Sequence, residues 1–451
     1  MAAAQPQPEN GWEEEMIVEI KAQCLCKAHT FTAQIPSSAL PLSASYCHCN
    51  SCRHVTGALH SVDAAWPGGT PENVEQLKRY DLFPSSVALL FCGTCSSPMF
   101  FEEHEPVQIQ GKEEDKITYG VFTGVLRDPV VANVGGDDGE KEKKKLPQPL
   151  VRFKDHICIE DTKDGGAAVW LRRQTEDASA PVARRWLGRR DKSELIPPME
   201  HWPPVAELQQ KQPLAEGDGD IPIRCHCGGV DLVLRAGAAR REFAAQKEKG
   251  EEELPWFVDP ATFKSVGSLD GCDSCRLSAG VDIFNWTFAL VKHLGYAATN
   301  TPGGDGYGFP KSSIELRAAL EAEGGKRDPR LGTLAFYVSS PGVQRYFCSR
   351  CSACVIYAAD DRAEMVDVAV GILDAPEGAR AESAISWSLG GDIVWKQDMM
   401  DGGWREELAK TVLKEAEAWR VARGYPKFWK RAEREAREAA EKKAAEKERK
   451  D

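Results

Sequence analysis

The sequence predicts a mainly β fold made of two tandem domains of antiparallel strands, each stapled through cysteines, with a charged helix at the C-terminal end. The first observation behind this is a repeat. A Cys-x-Cys pair, a Cys-x-x-Cys-Arg group and a Phe-Cys-x-x-Cys group occur in that order twice, and a repeat constrains the whole architecture. Second, the segments around these groups are short apolar or alternating runs bounded by Gly, Pro and Ser, the pattern of strands. Third, helical periodicity is scarce until the last part of the chain.

At 451 residues the chain has room for about two to three domains, each able to bury a core. A net charge of −12 disfavours a nucleic-acid or anionic-membrane surface. No apolar run is long enough to span a bilayer. Residues 1–10 lack a charged stretch followed by an apolar one, so they do not read as a secretory signal; residues 1–14 are expected as a disordered tail. Of fifteen cysteines, fourteen fall in or beside Cys-x-Cys and Cys-x-x-Cys clusters, the spacing of zinc sites rather than of a disulfide framework. Cys158 stands apart between Ile157 and Ile159 and is expected as an inert, buried strand cysteine. These features place the protein in the cytoplasm, with the nucleus as the alternative.

The first domain is expected over 15–172. Residues 16–20 alternate apolar and charged and read as a strand leading to Cys24 and Cys26, with 30–35 as its partner, ended by Pro36. The middle group follows, Cys47-His48-Cys49-Asn50-Ser51-Cys52-Arg53. Residues 87–91 run into Cys92 and 98–101 lead away from Cys95, as expected of strands joined at a metal knuckle. Further strands are expected over 117–125 and 150–159, separated by a charged surface loop over 135–149. Residues 173–219 are rich in proline and mixed charge and read as a linker. The basic cluster from Arg184 to Arg190 within it reads as a solvated patch, with a nuclear-import motif as the sharper alternative.

The second domain is expected over 220–404. Cys225 and Cys227 correspond to Cys24 and Cys26, Cys348 and Cys351 to Cys92 and Cys95, and residues 121–128 are echoed by 368–374. The middle group departs at one place, since Asp270 stands where Cys47 stands, ahead of Cys272, Cys275 and Arg276. Insertions lie at 247–253 and at the Gly-rich 301–309, and 312–323 reads as a short helix with Leu316, Ala319 and Leu320 on one side. Cys354 is expected as a buried residue of the strand over 355–357. Beyond Trp404, Leu408, Val412, Leu413 and Ala416 recur at helical spacing. Pro426 interrupts them, and 405–451 is expected as a charged helical tail without a coiled-coil seam.

Chemistry follows from the ligand counts. Cys24, Cys26, Cys92 and Cys95 form a four-thiolate set, which saturates zinc and leaves no place for substrate. Cys47, Cys49 and Cys52 supply three thiolates, so a zinc there keeps an open position; a redox thiol pair and a second closed zinc are the alternatives. An open thiolate-rich zinc suits a thiol ligand and lowers its pKa. His48 is a candidate proton shuttle, against a hydrogen bond within the loop. Cys225, Cys227, Cys348 and Cys351 repeat the closed set. Asp270, Cys272 and Cys275 make a harder O/S2 set that should hold zinc less tightly.

The order Cys24-Leu25-Cys26, Cys47-His48-Cys49-x-x-Cys52-Arg53-x-x-x-Gly57, Phe91-Cys92-Gly93-Thr94-Cys95 resembles the glutathione-dependent formaldehyde-activating enzyme family. That family includes centromere protein V and shares the Mss4-like β-tent fold. Here the resemblance extends to a tandem duplication. It implies a structural zinc at the outer cysteines of each domain and a labile zinc at Cys47, Cys49 and Cys52; Arg53, beside the site, is the first candidate to anchor a carboxylate-bearing substrate, against a surface or helix-capping arginine. It also implies the partners, glutathione or another small thiol and a small carbonyl such as formaldehyde, joined as S-hydroxymethylglutathione by a carbon–sulfur lyase working in the synthetic direction. The other reading is a non-catalytic, zinc-stabilised module that binds thiols or proteins.

Overall fold

The computed structural model describes residues 16–109, 112–128, 146, 148–177, 179–198, 200–210, 219–250, 253–297, 308–323, 325–400 and 402–448. The expected N-terminal tail, nearly all of the 135–149 loop and most of the Gly-rich 301–309 insertion lie outside them. Among the described residues the protein is mostly β, with four sheets and seven α-helices, two of them paired at the C-terminal end, in agreement with two tandem Mss4-like domains.

In the first half, β1 (Ile17–Gln23) and β2 (Thr30–Pro36) form a hairpin that buries Val18, Ile20, Phe31 and Ile35 from alternate positions. Then come β3 (Leu42–Cys47), α1 (Asn50–Thr56), β4 (Ser61–Ala65), β5 (Lys78–Phe83), β6 (Val87–Phe91), β7 (Pro98–Ile109), β8 (Lys112–Phe122) and β9 (Val151–Ile157). The stretch expected as linker adds β10 (Arg184–Trp186), β11 (Leu195–Ile196) and α2 (Val205–Gln210). The large sheet runs β11-β10-β9-β3-β4-β8-β7-β6-β5, with β3 and β9 parallel. The basic cluster is therefore part of a sheet edge. Arg184 and Arg190 pair with Asp155 at 2.8 and 3.2 Å, and Arg185 is buried against the carbonyl oxygens of Pro197, Pro198 and Glu200.

The second half retraces this path. It comprises β12 (Ile221–Arg224), β13 (Asp231–Leu234), α3 (Ala236–Lys249), β14 (Ser265–Asp270), α4 (Asp273–Ala279), β15 (Phe284–Leu290), β16 (Leu294–Tyr296), α5 (Ser313–Glu321), β17 (Leu334–Ser340), β18 (Val343–Cys348), β19 (Cys354–Ala359), β20 (Met365–Ala369) and β21 (Ile385–Trp387). Its main sheet reads β21-β14-β15-β20-β19-β18-β17, strand for strand the order β9-β3-β4-β8-β7-β6-β5 of the first. Again the outer pair, β14 and β21, is parallel. The 14-residue α3 is an addition that the sequence reading did not contain; it seats Ala239 and Phe243 against the sheet.

The halves pack as a near-symmetric pair over one continuous core. The turn Val370–Ile372 meets the end of α1, and Thr123–Val125 meets the end of α4. Gly371 N–H donates to Gly57 O at 2.9 Å, and Gly124 N–H donates to Gly280 O at 3.0 Å. These approaches require glycine. A Cβ on Gly57 would lie 2.2 Å from Cys354 O, and one on Gly124 2.2 Å from the Gly280 carbonyl carbon. Ser96 and Ser352 exchange hydrogen bonds, Oγ to carbonyl, at 2.9 and 2.7 Å. Each contact returns with the partners reversed, as at an isologous dimer interface.

The C-terminal stretch is more than a charged tail. In α6 (Trp404–Arg423), Trp404, Leu408, Val412, Ala416 and Trp419 are buried, the larger ones contributing about 1.5–3 kcal/mol each. Arg405 ties both halves together, donating to Asp282 Oδ1 (3.0 Å), Asp128 Oδ1 (3.0 Å), Thr123 O (2.9 Å) and Leu126 O (3.0 Å). The following α7 (Trp429–Glu448) carries i,i+4 charge pairs and is largely exposed. Among the described residues, no helix is long and apolar enough to cross a membrane.

Candidate metal centres

Strands deliver the outer cysteines. The β1–β2 turn presents Cys24 and Cys26, and the β6–β7 turn presents Cys92 and Cys95. Their four sulfurs lie within 4.8 Å of one another, with Cys24–Cys26 at 3.6 Å and Cys26–Cys92 at 3.5 Å. A tetrahedral zinc with bonds of about 2.3 Å sets sulfurs roughly 3.8 Å apart, so the cluster fits the ion. Backbone N–H groups also point at the sulfurs, from His29 to Cys24 (3.3 Å) and from Cys26 to Cys95 (3.4 Å), as suits thiolates. Cys225, Cys227, Cys348 and Cys351 repeat this, with Cys225–Cys227 at 3.6 Å and Cys227–Cys348 at 3.5 Å. Every cysteine is a free thiol, so no disulfide holds these turns.

The middle group is a strand end followed by a helix start. Cys47 closes β3, Cys49 caps α1 by accepting the Cys52 N–H at 3.3 Å, and the three sulfurs lie within 4.8 Å of one another. Cys52 is buried, whereas Cys47 and Cys49 are half-buried and can be reached. The Cys47 and Cys52 thiols, together with two backbone N–H groups, pull the Cys49 thiol down to about 3. Three donors converge here where the outer set has four, one fewer than fills a tetrahedral zinc.

His48 faces the core and is fully buried. His156 donates from Nε2 to Leu171 O at 3.0 Å, which leaves its Nδ1 to accept from His48 Nε2 at 2.9 Å; these tautomers are assigned from the network. Burial, then the neighbouring His156 and His60, push His48 well below its ordinary pKa, so it is neutral and turned away from the sulfurs. Arg53, too, is placed otherwise than its sequence neighbourhood suggests. Its guanidinium is buried, donating to Gly371 O of the other half (3.4 Å) and to Asn50 Oδ1 (2.8 Å). Arg276, its counterpart, reaches across to Gly124 O and to Leu126 O (3.1 Å).

Cys158 is the expectation that needs correcting. It is not a buried strand residue: it follows β9 in the left-handed region at φ 56°, half-exposed, with its thiol hydrogen-bonded to Cys47. It opens the turn Ile159–Thr162, whose Asp161 Oδ2 accepts the Asn50 N–H at 3.2 Å. The second half has the same cover: Trp395 at φ 57°, then the turn Lys396–Met399, whose Asp398 Oδ2 accepts the Asp273 N–H at 3.1 Å. The sequence signal for this pair is slight, a shared aspartate three residues past an unrelated one.

In the second half, Asp270, Cys272 and Cys275 also bring their donors within 4.8 Å. Asp270 Oδ1 accepts the Cys272 N–H at 2.7 Å, and Oδ2 accepts the Cys275 S–H at 3.7 Å. Burial pushes the Asp270 carboxyl up to about 7. A residue missed in the sequence completes the cluster. Arg345, 5% exposed, donates from Nη1 to Cys275 Sγ at 3.5 Å and lies 5.1 Å above the Tyr357 ring. Burial opposes its charge, but the Cys275 sulfur beside it more than offsets that and holds the guanidinium above its usual range.

The fold and these clusters define a class: a β protein with two closed four-cysteine clusters that could hold zinc, each beside a second, incomplete set. Residues 19–130 match the family model of the glutathione-dependent formaldehyde-activating enzyme. The matched segment contains the seven cysteines from Cys24 to Cys95, and the similarity is confined to the first half. No curated protein and no solved structure matches it.

Proposed function

We propose that the protein is a zinc enzyme of the glutathione-dependent formaldehyde-activating type, with its active centre in the first half and a duplicated, altered copy in the second. The observation that carries this is the three-donor set Cys47, Cys49 and Cys52, half-open to solvent, inside the segment that matches the family. Zinc bound there would offer its fourth position to an incoming sulfur and favour the thiolate form of that sulfur. The chain's own part is positioning. The N–H groups of Cys52 and Ser51 fix Cys49, Asp161 pins the start of α1, and Arg53 locks that helix to the second half.

Glutathione, or another small thiol, is the substrate class, with formaldehyde or a related small carbonyl as its acceptor. A carboxylate-bearing thiol needs a reachable cation. With Arg53 committed to the interface, the exposed Arg189, whose charge acts on Cys158, takes that place. The domain limits are proposed as 15–172, continued by the edge strands through Ile196, and 220–404. Fifteen reduced cysteines suit a reducing compartment such as the cytoplasm. The burial of Arg53 equally favours a second reading, in which the first half binds thiols without catalysing their addition.

The test is formation of S-hydroxymethylglutathione from labelled formaldehyde and glutathione, followed by NMR, with glutathione binding measured calorimetrically. Wild-type protein should bind glutathione and speed the addition above its spontaneous rate; Cys49→Ser should do neither. Binding without acceleration supports the second reading, and absence of both contradicts the proposal.

A further inference from the structure

We propose that Cys272 and Cys275 are a redox-active dithiol that exchanges with low-molecular-weight disulfides, so that the second half carries thiol chemistry of its own without a metal. This does not depend on activity in the first half. Aligning Phe347-Cys348 with Phe91-Cys92 puts Arg345 where the first half has Leu89, a fully buried residue. Thus the half that has Asp270 in place of a cysteine also has a buried cation, directed at the Cys275 sulfur. Arg345 Nε has no hydrogen-bond partner, so the cation is held there chiefly by Cys275 and the Tyr357 ring. A fixed positive charge beside the sulfurs opposes entry of a divalent ion and favours a thiolate in its place. Both Asp270 oxygens are already engaged within the loop.

The two cysteines differ in the way a dithiol needs. Cys272 is half-buried and reachable, whereas Cys275 is 4% exposed. In the exchange, the Cys272 thiolate attacks a disulfide RSSR, forming a mixed disulfide and releasing one thiolate, which takes up a proton to become RSH. Cys275 then attacks the Cys272 sulfur, giving up its proton to the Asp270 oxygen already bonded to it, and the second RS leaves and is protonated. The balance is two protein thiols oxidised to one disulfide and RSSR reduced to two RSH. The turn Lys396–Met399 covers this loop without adding a sulfur, whereas in the first half Cys158 brings a fourth beside Cys47.

The experiment uses the full zinc-loaded chain and glutathione disulfide as the probe, with alkylation and mass mapping over time. A Cys272–Cys275 disulfide should form with release of two glutathiones per chain, ahead of oxidation at Cys49 and Cys52. Cys275→Ser should stop at a glutathione adduct on Cys272, and Cys272→Ser should release none. Asp270→Asn should prolong the mixed disulfide on the order of a hundredfold, the usual worth of a positioned base. Mapping of unmutated protein decides the matter if a variant fails to fold. Four zincs per chain with Cys272 and Cys275 unreactive until a chelator is added would overturn the proposal. So would oxidation of Cys49 and Cys52 at the same rate, or no exchange at all.

Discussion

The turn from Cys47 to Arg53 and the turn from Asp270 to Arg276 run the same course. Each ends a strand, places a cysteine at the start of a seven-residue helix, and sends an arginine across to the other half. Each is covered by a left-handed residue and a single tight turn. What differs is the charge brought to the sulfurs. The first turn has a third cysteine and a nearby thiol from Cys158; the second has a carboxylate and the guanidinium of Arg345, at the position aligned with Leu89. The backbone path survives because the arginines and glycines of the interface fix it, which leaves the donor atoms free to change. One scaffold can therefore hold a metal in one copy and a metal-free thiol pair in the other.

Outer and middle cysteines can be set apart by stability, where the largest effect is expected. Cys92→Ser or Cys348→Ser should lower the unfolding free energy by several kcal/mol, on the order of what a structural zinc contributes. Cys49→Ser and Cys272→Ser should shift the thermal melt little. Equal losses at all four positions would erase the distinction between closed and open sets.

The interface can be loosened without touching a cysteine. Arg405→Ala leaves the buried Asp282 without its charge partner and should cost about 3–5 kcal/mol by denaturant titration. The zinc content of the refolded protein should be unchanged.

Conversion of one copy into the other is a sharper test. The variant carrying both Asp270→Cys and Arg345→Leu should gain about one zinc per chain over the parent, because it restores the three-sulfur, cation-free arrangement. Asp270→Cys alone should gain less, with Arg345 still in place. A full gain from the single change would remove Arg345 from the account.

The smallest expected effect is in acid. Burial holds His60 at about 4 and His156 at about 3, against an ordinary 6.5. Both are neutral when folded and take up protons when unfolded, so their stabilisation is present above about 6.5 and fades as pH falls toward 4. The aligned residues in the second half, Ile283 and Ile393, do not titrate. Hydrogen exchange between pH 7 and pH 5 should therefore show β3 and β9 losing protection before β14 and β21.

Much of this was legible in the sequence because metal ligands and strand alternation are local signals. The cysteine order gave both closed sets, and the run from Val87 to Phe91 marked β6 to the residue. The direction of Arg53 was not legible, because on a helix the next residue points about 100° away, and its guanidinium turns into the interface. Cys158 and Trp395 carried only the slight signal of a shared aspartate and Arg345 none, since their roles arise from strand pairings and turns that join distant segments. The residues 184–190 were hidden by their charge, which is partly spent on Asp155 and on carbonyl groups.

The decisive measurement is zinc counted on the freshly purified full chain, alongside Cys49→Ser and Cys272→Ser. Three per chain are expected, falling to two in Cys49→Ser and staying at three in Cys272→Ser. Four per chain, with one lost in each variant, would mean that both middle groups hold metal and that the two copies do not differ in the way described.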